Sequence, residues 1–95
     1  MVIVKSNTFV EDVIKVKDAN LELAITQRLA RVAGGNLGDV KSVGGGVSEM
    51  RIHYGAGYRL YYTVRGQEII FMLCAGAKSN QSRDIERAKQ IKQEV

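Results

Sequence analysis

The chain is poor in the residues that would make its function obvious. It has 95 residues and a single cysteine, Cys74, inside an apolar run. One cysteine excludes an internal disulfide framework and a cysteine-built metal cluster, and it fits a reducing cytosol. No proline occurs, so glycine and polar caps must set the boundaries between elements. The longest apolar run, Ile69 to Ala77, is too short to span a bilayer. The opening MVIVKSNTF lacks a basic region followed by a long apolar segment, so no signal peptide is expected. There is one histidine, His53, and no internal repeat. A chain of this size makes one domain, residues 1–95, with one core.

What is present is a basic second half. Residues 1–50 carry equal numbers of acids and bases, and residues 51–95 hold the whole net charge of +4. Such asymmetry points to a polyanion or an acidic partner, with a solvated basic surface as the plainer alternative.

Val2-Ile3-Val4 reads as a first strand. Thr8 and Glu11 fit a capping box for a short helix over about Phe9–Val16. Asp18 or Asn20 starts a second helix, in which Leu21, Ala24, Ile25, Leu29 and Val32 recur at helical spacing until Gly34-Gly35 closes it. Residues 36–46 read as a glycine-rich lead-in with a short strand near Val40–Ser42. Gly44-Gly45-Gly46 lacks the lysine and the following helix that a phosphate cradle requires.

Residues 47–76 read as three consecutive strands, about 47–54, 58–64 and 68–75, joined by glycine turns. In the first, Val47, Glu49, Arg51 and His53 share one face. In the second, Arg59, Tyr61, Thr63 and Arg65 oppose Tyr58, Leu60, Tyr62 and Val64. The third is apolar on both faces, as a covered strand should be. A helix from about Gln81 ends the chain, with Ile85, Ala88 and Ile91 as a thin apolar stripe. The order β-α-α-β-β-β-α implies an α+β fold: an antiparallel sheet, an N-terminal helical hairpin on one face, and a C-terminal helix. The other face would stay open and collect the polar side chains.

Those side chains suit cleavage of a phosphodiester. Attack of a ribose 2′-hydroxyl on its own phosphate builds a dianionic phosphorane, which needs cations, a general base and a general acid. Arg51, Arg59 and Lys78 can supply charge. His53 is the natural proton carrier, since an imidazole is the side chain suited to exchange protons near neutral pH, with Glu49 and Tyr61 as second candidates. Each has a structural alternative: a hydrogen-bonded surface histidine, an Arg51–Glu49 or Arg51–Glu68 ion pair, tyrosines that fill the core. Cys74 reads as a small buried hydrophobe. No metal or cofactor is expected.

The stretches GGNLGDVKSVGGGVSEMRIHYGAGYRLYYT and LCAGAKSNQSRDIERAK resemble the HigB-like branch of the RelE/ParE superfamily. These are the toxins of type II toxin–antitoxin modules often labelled addiction module killer proteins, and the resemblance covers nearly the whole chain. It implies a ribosome-dependent mRNA endonuclease that leaves a 2′,3′-cyclic phosphate. Arg51 and His53 match the family's basic strand positions, Arg59 its turn arginine, and Lys78 the basic residue after the last strand. The family's C-terminal aromatic has no counterpart here; Gln81 and Asp84 stand nearest. The implied partners are a cognate helix-turn-helix antitoxin, the ribosome and mRNA, in the cytoplasm, with no membrane role and no sequence-specific DNA binding by the toxin alone. A ParE-like DNA gyrase inhibitor and a non-toxic homologue acting as a binding subunit are the alternatives on the same fold.

Overall fold

The computed structural model describes residues 1–95. Strand β1 (Val2–Lys5) leads directly into helix α1 (Asn7–Ile14). The cap is Ser6, not Thr8: its hydroxyl accepts from the Phe9 backbone N–H at 3.0 Å and donates to the Leu73 carbonyl at 2.7 Å. One side chain thereby starts the helix and ties it to the sheet. Of the two cap candidates for helix α2 (Ala19–Ala33), Asp18 is the cap: it accepts from the backbone N–H groups of Asn20 and Leu21. Strands β2 (Val40–Gly44), β3 (Val47–Ile52), β4 (Tyr58–Arg65) and β5 (Ile69–Ala77) follow. A single 3₁₀ turn at Lys78–Asn80 enters helix α3 (Gln81–Glu94).

The fold is α+β, with a five-stranded sheet in the order β1-β5-β4-β3-β2. Two features differ from the expectation. The sheet is mixed, because β1 lies parallel to β5 in the register Val2↔Ile69 to Lys5↔Met72 while the other pairings are antiparallel. The apolar β5 is therefore paired on both edges, and its lack of alternation follows from cover on both faces: Ile70 and Met72 lie in one core, Leu73 and Cys74 in the other. The triple-glycine segment is the turn of a β2–β3 hairpin rather than a loose lead-in.

The α1–α2 hairpin covers one face of the sheet. Phe9, Ile25 and Val32 pack there with Met50, Leu60, Tyr62, Ile70 and Met72, all buried. Each such side chain stabilises the fold by roughly 1.5–3 kcal/mol relative to exposure. The opposite face, expected to be open, is half covered by α3, whose stripe seals Val47, Tyr61, Leu73 and Cys74 under Ala88, Ile85 and Ile91. A bulge helps. The β4–β5 register shifts between Tyr61 and Tyr62, so Leu73 and Cys74 both join the α3 side. Cys74 is buried, and desolvation raises its thiol pKa to about 12. What α3 leaves uncovered is the end of this face beside the β3–β4 turn.

Candidate functional site

The site is built on the antiparallel β3–β4 pair. Arg51 and Arg59 are register partners, so their side chains leave the sheet on the same face. Like charges directly opposite each other disfavour the pairing. Glu49, two residues before Arg51, offsets that. Its carboxylate is buried and accepts from Arg51 Nε through Oε1 at 3.0 Å. Its Oε2 lies 3.6 Å from Arg59 Nε and accepts from Gln81 Nε2 at 3.1 Å. One carboxylate thus holds two guanidiniums and the first residue of α3, and one positive charge remains in excess.

Lys78 reaches the same place from the end of β5. Its backbone N–H donates to the Gly57 carbonyl at 3.2 Å. Gly57 has φ +96°, and a Cβ there would stand 3.5 Å from Lys78 Cβ and 3.9 Å from Arg59 Nη1. The positive φ is what calls for glycine at this turn; a Cβ would only touch the two side chains at ordinary contact distance. The result is a cleft of about 460 Å³ lined by Arg51, His53, Arg59 and Lys78 around the Gly55–Gly57 turn, with no carboxylate in its lining. Arg59 is only 7% exposed, so this charge is held in place rather than waving in solvent.

His53 lies just past β3 and is exposed. Its Nε2 meets Asp39 Oδ2 at 2.5 Å, which holds the Asp39 carboxyl below the usual aspartate range. That bond leaves Nδ1 as the ring nitrogen for proton exchange. Asp39 is itself anchored by Arg28, a buried guanidinium on α2. Arg28 donates to the carbonyls of Leu37 (2.9 Å), Arg51 (2.7 Å) and Asp39 (2.7 Å). Neither Asp39 nor Arg28 stood out in the sequence. Both sit off the strand pattern, and their link to the cleft runs through backbone carbonyls that no side-chain periodicity encodes.

Two of the proton-transfer or RNA-contact candidates lie elsewhere. Tyr61 is fully buried beneath α3, and burial, reinforced by the charges of Glu49 and Asp84, pushes its hydroxyl pKa up. Asp84 is also fully buried: Oδ1 accepts from Arg87 Nε at 3.2 Å and Nη2 at 3.1 Å, against β5 at Gly76. Neither lines the cleft, because α3 packs where an open face was expected. Glu49 likewise is a buried anchor rather than a cleft wall, and Gln81 reaches the cluster only through it. No group of three or more His, Cys, Asp or Glu side chains is placed to hold a metal ion.

Electrostatically the cleft offers three cations and one imidazole around a volume that a bent phosphodiester could enter. It can bind and neutralise an anionic centre, and His53 can exchange a proton there.

Comparison with known proteins adds three findings. Residues 12–94 match the family described as phage derived protein Gp49-like (DUF891). An uncharacterised protein of Haemophilus influenzae strain Rd is 41% identical over 81 residues, spanning 85% of this chain and 82% of the relative. A chain of the intact E. coli RelBE toxin–antitoxin complex has a similar fold, with a TM-score of 0.66 at 16% identity over 80% of this chain and 94% of that one.

Proposed function

We propose, from the premise that this chain belongs to the phage-derived Gp49-like family, that it is the toxin of a two-component toxin–antitoxin module. In this reading residues 1–95 form one toxin domain that cuts mRNA on the ribosome by 2′-hydroxyl attack. The observation that carries the reading is the convergence of Arg51, Arg59 and Lys78 with His53 on one acid-free cleft. Support for the module comes from fold likeness to a chain of a toxin–antitoxin complex.

In the mechanism, the scissile phosphate lies among the three cations. Arg59, fixed by Glu49, and Lys78 stabilise the charge that develops on the phosphorane oxygens. His53 Nδ1 accepts the proton of the attacking 2′-hydroxyl as the O2′–P bond forms and returns it to the departing 5′-oxygen as the P–O5′ bond breaks, while Asp39 keeps the ring in one orientation. The partner is a small helix-turn-helix antitoxin, as in the HigB-like branch, and the place of action is the cytoplasm.

Induction of the chain without a partner tests this. The parent should arrest growth and cut translated messages, and Arg59→Ala should do neither while remaining folded. Arrest with intact messages and an SOS response would replace the proposal with gyrase inhibition. Unimpaired growth with folded parent protein would leave a binding subunit.

A further inference from the structure

A second and larger cleft, about 750 Å³, adjoins the first. It opens between the α1–α2 connection, residues 54–58 and the start of α3. Gly55, Ala56 and Gly57 line both clefts. This shared wall carries nothing taller than a methyl group, so it is a low ridge and not a barrier.

The far side of the ridge is cationic too. Lys15 and Lys17 come from the α1–α2 connection, and neither ammonium takes part in a hydrogen bond or ion pair within the chain. Arg83, from the first turn of α3, has 69% of its side chain exposed and meets a carboxylate only at 3.5 Å. The acids of this cleft are already engaged. Asp18 caps α2 and accepts from the Tyr54 hydroxyl at 3.0 Å. Asp12 accepts from Arg87 Nη2 at 2.9 Å and from the Ala75 backbone N–H at 3.0 Å. Asp12 is offset by Arg87, while Asp18, bonded only to neutral donors, keeps its charge; the lining therefore sets Lys15, Lys17, Arg83 and Arg87 against two carboxylates and stays net positive.

A compact anion would need one of these clefts, not both. A single strand with a charge at every repeat uses a groove of cations interrupted only by a low crossing. We infer that the second cleft binds the phosphates flanking the cut linkage on the same RNA strand, which crosses the Gly55–Gly57 ridge with Lys15, Lys17 and Arg83 beyond it. The inference rests on the ribonuclease reading of the first cleft.

Fluorescence anisotropy at low salt tests it, with uncleavable 2′-O-methyl oligouridylates as probes. A dinucleotide fills one cleft and a hexanucleotide can span both. The parent should bind the hexanucleotide about tenfold more tightly. The Lys15→Ala/Lys17→Ala double variant should bind the hexanucleotide no better than the dinucleotide, with dinucleotide binding unchanged. Its logarithmic salt slope for the hexanucleotide should be shallower by roughly 1.4, the value for two phosphate contacts on a single strand. Equal affinity of the parent for both probes, or parent-like hexanucleotide binding by the double variant, would overturn the inference. Affinity lost only for message-free ribosomes would assign the lysines to ribosomal RNA, and affinity lost only for an acidic peptide would assign them to a protein partner; either result overturns it. Arg59→Ala separates the two readings: it should weaken both probes, and parent-like dinucleotide binding there would count against the first cleft alone.

Discussion

Arg51 and Arg59 stand directly opposite each other across β3 and β4, and the buried carboxylate of Glu49 lies against both. The pairing is unfavourable by itself and useful only as a cationic site. Glu49 makes it tolerable without cancelling it.

Glu49→Gln therefore tests the anchor. The amide keeps the shape but loses the charge, leaving two facing guanidiniums uncompensated. We expect a loss of about 2–4 kcal/mol in unfolding free energy, measured by urea denaturation. Cleavage should fall as well, because Arg59 loses its positioning. Parent-like stability would mean that the arginines do not depend on Glu49.

Asp39 gives a pH signature. Its carboxyl pKa is lowered in the folded chain, chiefly by the hydrogen bond from His53. A lowered folded value means that the contribution is fully present above the unfolded value, about 3.9, and is lost as pH falls through the folded one. Asp18, lowered mainly by the Tyr54 hydroxyl, acts in the same direction and the same window. In Asp39→Asn the thermal midpoint should fall less steeply than in the parent as pH drops below about 4. Identical slopes would show that the contact contributes nothing to folding. At neutral pH, Asp39→Asn should reduce cleavage by less than His53→Ala does, since Asp39 orients the ring without touching substrate.

Gly76, the one glycine of β5, should not tolerate a side chain. A Cβ there would stand 2.0 Å from Asp84 Oδ2, within a fully buried carboxylate bonded to Arg87. Gly76→Ala must displace that group or part α3 from the sheet. The expected cost is about 3 kcal/mol or more, seen as a lowered thermal midpoint. A neutral result would require α3 to re-dock freely.

Much of this arrangement is legible in the sequence. The period-two alternation in 47–65 assigns Arg51 and Arg59 to one face, and the cap at Asp18 and the start of α3 at Gln81 are local signals that the structure keeps. Depth is what local pattern does not encode. Tyr61 and Glu49 share the polar-looking face, but whether they meet water depends on where α3 lands, and a thin stripe of Ile85, Ala88 and Ile91 does not say. The parallel β1–β5 pairing joins residues more than sixty positions apart. The Asp39–His53 contact spans 14 residues and a loop. Such links arise from tertiary packing and leave no periodic trace.

The most direct test of the central claim is primer extension on a reporter message in a purified translation system, comparing the parent with Arg59→Ala. The account predicts breaks within the translated region with parent protein, 2′,3′-cyclic phosphate ends by mass spectrometry, and a loss of at least about 100-fold in cleavage for Arg59→Ala, as expected when a transition-state charge contact is removed. Parent-like cutting by the folded Arg59→Ala protein would contradict it.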